Sequence, residues 1–186
     1  MRTALIALLS FVFIAFGNAQ NTPSANTKIM AGIGLGQTAT AFETGQSNYL
    51  PFSIQVQHKL SSKFSLGLFY SRVSYNGPQH IVSDGLLQQL KHTYQQAALK
   101  AAFHIDRIEK LDLYGGMQLG LNFSKFEASQ GSFDYFSNHL GLQPNSTKLL
   151  YTGFVGASYD IAYGFSIYSE LGFGTTLLNT GIGYRF

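Results

Sequence analysis

The chain contains no cysteine, which excludes disulfides, thiol catalysis, cysteine metal sites and a lipid anchor on an amino-terminal Cys. Charge is also scarce. Only 11% of the 186 residues are charged, the formal net charge is +3 at pH 7, and one positive charge is lost if Arg2 is removed with a leader. So small an excess does not argue for nucleic acid as a partner. Beyond residue 19, no stretch approaches the roughly 20 apolar residues that a membrane helix requires. There is no P-loop, and Gly32-x-Gly34-x-Gly36 lacks both the spacing and the following helix of a dinucleotide-binding turn. Close backbone packing explains those glycines better.

What the chain does have is apolar and aromatic residues in quantity: 45% hydrophobic, 20 Gly, 16 Phe and 11 Tyr. That is too apolar for a disordered chain and too evenly spread for a bundle of membrane helices. Residues 1–19 read as a secretory signal, with Arg2 before an apolar run from Ala4 to Phe16 and a small-residue cleavage site at Gly17-Asn18-Ala19. Residues 20–27 form a polar, flexible periplasmic lead-in, which leaves 28–186 as one domain. A chain with a signal and no membrane helix can still cross a bilayer as a closed β-barrel, because closure pairs every backbone polar group.

Period-two alternation predicts eight strands. They lie near 28–38, 52–60, 64–73, 93–105, 111–124, 149–159, 165–174 and 177–186. The fifth has the cleanest pattern: Leu111, Leu113, Gly115, Met117, Leu119, Leu121 and Phe123 alternate with Asp112, Tyr114, Gly116, Gln118, Gly120, Asn122 and Ser124. In the second, Phe52, Ile54, Val56, His58 and Leu60 alternate with Ser53, Gln55, Gln57 and Lys59. Phe69, Val73, Leu150 and Phe154 interrupt otherwise polar rows. Short connections (61–63, 106–110, 160–164) alternate with long ones (39–50, 74–92, 125–148), the arrangement of periplasmic turns and outer loops. Phe52, Tyr70, Phe123, Tyr151 and Phe173 fall near the outer strand ends, and Phe64, Phe103, Tyr159, Phe165, Tyr184 and Phe186 near the periplasmic ends. Amphipathic rings at both levels are expected of a membrane-spanning barrel.

The last strand sets Leu178, Thr180, Ile182, Tyr184 and Phe186 on one face and Asn179, Gly181, Gly183 and Arg185 on the other. Its Tyr-Arg-Phe terminus looks like the assembly signal of bacterial outer-membrane barrels, with Tyr184 and Phe186 as its aromatic residues. The whole pattern resembles the eight-stranded outer-membrane barrels of the OmpA transmembrane-domain and OmpX-like class. The fold expected is therefore all-β, an eight-stranded antiparallel up-and-down transmembrane β-barrel in a Gram-negative outer membrane. The resemblance implies contact with outer-membrane lipid and lipopolysaccharide, and with the barrel-assembly machinery during insertion.

Charges inside so narrow a barrel are costly unless paired. Strand depths predict a Lys100–Glu170 pair in mid-barrel and an Arg185–Asp112 contact near the periplasmic mouth, with Gln118 in the same polar network. The expected role is non-catalytic, either envelope integrity or binding and adhesion through the outer loops to a partner outside the cell. No metal, cofactor or nucleic acid is implied. Two alternatives remain open. A lipid-modifying enzyme akin to lipid A deacylase could use His80, His92 or His139 with Ser83-Asp84 or Ser137 in the outer loops, although the closely spaced His-x-Ser motif is missing. A secreted lipocalin-like barrel would reverse the two faces, with Gln55, Gln57, Lys59, Gln118 and Asn122 in solvent and the leucine rows around an apolar ligand. Leu86-Leu87 in one long loop and Phe126, Phe133, Tyr135, Phe136 and Leu140 in another mark candidate contact surfaces.

Overall fold

The computed structural model describes residues 26–37, 46–47, 49–77, 80–81, 87–130 and 143–186. The signal, most of the lead-in and the loop residues Ser83, Asp84, Leu86, Phe133, Tyr135, Phe136, Ser137, His139 and Leu140 lie outside them, as does the side chain of His80. Alternating residues with glycine-rich inner rows produce long antiparallel strands: β1 (Thr27–Gln37), β3 (Phe52–Ser61), β4 (Phe64–Asn76), β6 (Leu87–Ile108), β7 (Leu111–Gln130), β8 (Asn145–Ala162), β9 (Phe165–Gly172) and β10 (Thr176–Arg185). Two-residue strands β2 (Gln46–Ser47) and β5 (His80–Ile81) extend the edges of β4 and β6. Each long strand pairs with its neighbours in sequence, β1 pairs with β10, and β4 pairs directly with β6, so the eight long strands close on themselves.

Closure follows from the last strand. Lys28 to Gln37 run antiparallel to Arg185 to Thr176, so β1 and β10 complete the wall. Two-residue turns at Ser62-Lys63, Glu109-Lys110 and Tyr163-Gly164 lie at one end. At the third, Tyr163 (φ 52°) and Gly164 (φ 82°) both take the left-handed conformation that a type I′ hairpin requires. At the other end the wall is uneven: β6, β7 and β8 have 22, 20 and 18 residues, against 11, 10, 13, 8 and 10 for β1, β3, β4, β9 and β10. Residues expected in the loops 74–92 and 125–148 therefore belong partly to strands. Paired registers such as Thr93↔Lys125 and Ser124↔Ser146 supply the hydrogen bonds that a polar composition does not reveal.

The faces divide by charge and size. Ile29, Ile54, Leu68, Leu99, Met117, Leu119, Val155, Ile167, Leu171 and Ile182 point outward and are exposed, while Gln55, Gln96, Lys100, Gln118, Ser158 and Glu170 are buried inside. This orientation contradicts the lipocalin-like alternative, because a soluble barrel would bury the leucine rows and wet the glutamines. The aromatic residues expected at the interfaces share the outward parity. They pack as cross-strand pairs, Phe52–Tyr70 at one level and Phe64–Phe103 and Phe165–Tyr184 at the other, with ring centroids 6.3, 5.1 and 5.0 Å apart.

Candidate functional site: the barrel lumen and its outer rim

Inner-row glycines make space for the largest inner side chains. Tyr114, Gly156 and Glu170 stand side by side on β7, β8 and β9. A Cβ on Gly156 would come within 2.7 Å of the Tyr114 ring and 2.9 Å of Glu170 Cγ, so the absence of a side chain there lets the other two meet. Tyr114 donates its hydroxyl to Glu170 Oε1 at 2.9 Å. Gly32, Gly181 and Tyr168 form a second such row, in which Tyr168 lies across the glycine of β10 towards that of β1.

Lys100 sits at the centre of the lumen. It donates to both Glu170 oxygens at 2.8 and 2.7 Å and to Gln55 Oε1 at 2.8 Å, and its ammonium lies 4.1 Å from the centroid of the Phe154 ring. The side chains of Lys100 and Glu170 are only 6% and 7% exposed. Phe154, an apparent defect in the inward row of its strand, thus supplies a ring face to a buried cation and packs on Ala102 and Tyr114. Leu150 and Val73 are likewise buried inside. Gln118 is buried opposite Lys100 in the register. It lines a cavity of about 30 Å³ with Lys100, Glu170, Thr175 and Asn179, room for about one water. Above it, Gln96 Oε1 accepts from the Thr175 amide at 3.0 Å and from its hydroxyl at 2.9 Å.

The expected Arg185–Asp112 contact is not formed. Arg185 lies 3.1 Å from Asp160, whose strand β8 is one nearer around the wall than the β7 that carries Asp112. Lys28 reaches the same group across the inner face of Gly183, 3.9 Å from Asp160 and 2.6 Å from Ser158 Oγ. Asp112 is held from the other side, by Lys59 at 3.4 Å and by His104 Nδ1 at 2.8 Å. His104 Nε2 shares a 2.7 Å hydrogen bond with Ser65 Oγ, which also accepts from Gln57 Nε2 at 2.7 Å. Sequence reading missed Asp160 because it was assigned to a turn, and missed Ser65 because a small inner-row serine carries no signal of its partners.

Ser65, His104 and Asp112 have the connectivity of a hydrolytic triad: serine to one imidazole nitrogen, carboxylate to the other. Ser65, however, has no exposed surface, and a carbonyl carbon must approach within bonding reach of a nucleophile for acyl transfer to begin. The same three groups serve equally well to satisfy one another's polar atoms in a confined space. Of the outer-loop histidines weighed for catalysis, only the side chain of His92 is described. It is buried at the outer mouth and stacked on Phe126, with centroids 4.1 Å apart.

No protein-family model and no curated protein matches the chain. Solved structures do. Ail, the attachment invasion locus protein of Yersinia pestis, crystallised in complex with the heparin analogue sucrose octasulfate, is similar at 14% identity and a TM-score of 0.51, covering 87% of this chain and 99% of Ail. A second crystal structure of Ail aligns at 15% identity and a TM-score of 0.50, covering 87% and 98%. The outer membrane protein OprG from Pseudomonas aeruginosa aligns over 87% and 95% at 10% identity, with a TM-score of 0.45. This chain has the eight-stranded outer-membrane β-barrel fold. With its apolar wall turned outward and its polar groups paired inside, the barrel is built for a lipid bilayer. Its short turns mark the periplasmic end, and its raised β6–β7–β8 wall the outer one.

Proposed function

We propose that the protein is a non-catalytic outer-membrane barrel that acts by contact at its outer rim. The observation that carries this reading is the raised wall, where β6, β7 and β8, the longest strands, continue past the aromatic level, as β4 does beyond Tyr70, while β3 begins at Phe52 and β9 ends beside Phe173. A lumen occupied by Lys100, Glu170, Tyr114, Phe154 and Gln55 leaves little route for solute, so the lengthened strands serve the surface. The connection between them, residues 131–142, has Phe133, Tyr135 and Phe136 in its sequence. Ail in complex with a sulfated sugar supports binding as a use for this fold.

The test compares intact cells displaying the full chain with cells displaying a variant in which residues 131–142 are replaced by a short Gly-Ser linker. Binding to surfaces coated with sulfated glycans and to epithelial cells is measured, with conductance of the purified barrel in planar bilayers as control. Loss of binding with the linker and no steady conductance are expected. Equal binding by both, or a stable open channel in the unmodified barrel, would overturn the reading. A fluorophosphonate probe is expected to leave Ser65 unlabelled, and labelling that disappears in Ser65→Ala would make the chain an enzyme.

A further inference from the structure

At the periplasmic end, two hairpin turns and the closing strand enclose a cleft. The Asp160 amide donates to the Lys110 carbonyl at 2.8 Å, which ties the β6–β7 turn to β8. The Arg185 amide donates to the Gly164 carbonyl at 2.9 Å, which ties the β8–β9 turn to β10. Between them lies a cavity of about 270 Å³, whose lining includes Lys110, Asp160, Ile161, Tyr163, Phe165 and Arg185. At roughly 30 Å³ per liquid water, that is room for about nine waters, enough for the end of a peptide.

Positive charge in this cleft exceeds negative. Asp160 is the one carboxylate in the lining among the described residues, and it is already shared by Arg185 and by Lys28 at 3.9 Å. Arg185 gives it a single nitrogen, Nη2, at 3.1 and 3.4 Å from the two oxygens. Among the described residues, the other guanidinium nitrogens and the exposed Lys110 ammonium have no hydrogen-bond or ion-pair partner. A guanidinium edge and an ammonium left open side by side suit an anion, and a carboxylate matches the guanidinium fork.

The backbone adds an independent sign. Lys110 (φ 64°) and Tyr163 (φ 52°) are the two non-glycine residues with positive φ among the described residues, and both line this cleft. Asn, Asp or Gly would take such positions at lower cost. Tyr163 does not recover that cost by packing within the chain, since it is 94% exposed. A bulky residue strained in this way, with its ring in water, fits a contact with another molecule. Ile161 and Phe165 are exposed beside it and extend the apolar side of the cleft.

We infer that this cleft is a binding site for the carboxyl-terminal residue of a periplasmic peptide. The terminal carboxylate sits between the Lys110 ammonium and the open edge of Arg185, and an apolar last side chain lies on Ile161, Tyr163 and Phe165. The last amide N–H of the peptide points to Asp160. Asp160 and Arg185 belong to the inward rows of β8 and β10, where Asp160 stands opposite the buried Ser166. The charged side of the cleft therefore opens on the aqueous mouth and not on the leaflet, which favours a peptide over a phospholipid head group. The site lies at the opposite end of the barrel from the rim contact proposed above and does not depend on it.

The experiment places the mature barrel in phosphatidylcholine nanodiscs, where both ends meet water. It follows the fluorescence anisotropy of a fluorescein-labelled hexapeptide that ends in two leucines and a free carboxylate. Saturable binding is expected, weakened about tenfold or more by amidation of the peptide's carboxyl terminus or by Lys110→Gln/Arg185→Gln. Tyr163→Asn should weaken binding several-fold while the urea midpoint of unfolding stays equal or rises, because asparagine suits the left-handed turn. A merely structural role for Tyr163 would not separate the two readouts in that direction. The inference is overturned if the unsubstituted barrel shows no saturable binding, if the amidated peptide binds as well, or if either variant binds as tightly as the original. It is also overturned if phosphatidylglycerol in the disc displaces the peptide, which would make the cleft a lipid site. Should the double variant not refold, the amidated peptide and Tyr163→Asn decide the matter.

Discussion

The lumen holds ionic groups in two settings. In mid-barrel, Lys100 and Glu170 are almost wholly removed from solvent, and each is further bonded to a neutral neighbour, Gln55 and Tyr114. At the periplasmic mouth, Arg185 and Asp160 remain 33% and 40% exposed. The distances are similar, but the consequences of breaking the two pairs differ. Removing one member of a buried pair leaves a charge that water cannot reach, whereas a mouth residue that loses its partner is resolvated. The deep group is therefore the costlier one to break, and the mouth group the cheaper.

The comparison can be broken most directly at Glu170. Glu170→Ala is expected to cost about 3–5 kcal/mol by stranding the Lys100 ammonium, read as a lower urea midpoint in lipid vesicles. Lys100→Met/Glu170→Met should recover most of that loss, because an apolar pair leaves no buried charge. Equal damage from the single and double changes would show that the ion pair itself, not the avoidance of an unpaired charge, holds the barrel.

Next in size, Gly156→Val should cost about 1–3 kcal/mol, the ordinary penalty of overpacking, since the new side chain would separate Tyr114 from Glu170. A variant as stable as the original would mean that the inner row has slack, and the rigid picture of the deep cluster would fail. His104→Ala lies between the two settings. It removes one partner each from Ser65 and Asp112 but leaves Gln57 on the hydroxyl and Lys59 beside the carboxylate, so a loss of about 1–3 kcal/mol is expected from the buried hydrogen bonds left unmade. Arg185→Gln should be smallest, about 0.2–1 kcal/mol, and weaker still in high salt. A loss as large as that for Glu170→Ala would erase the distinction between depth and mouth.

Much of this was legible in the order of residues alone. Period-two alternation is a local property, set by the pleat of a strand, so the eight crossings, the apolar outer face, the aromatic levels and the final closing strand could be read one segment at a time. The Lys100 and Glu170 depths could be counted for the same reason, because both strands are anchored by short turns. Shear and strand extension were not legible, since each depends on which residue across the wall accepts a hydrogen bond. That is why Arg185 meets Asp160 and not Asp112, why Ser65, His104 and Asp112 converge from β4, β6 and β7, and why polar stretches beyond Tyr94 and Ser124 continue as paired strand. The sequence by itself determined eight strands, each with one apolar and one polar row, because side chains alternate across the pleat. Only the tertiary structure decided that the apolar rows face outward and which charges share a pocket, because closure and register around the sheet are properties of all eight strands together.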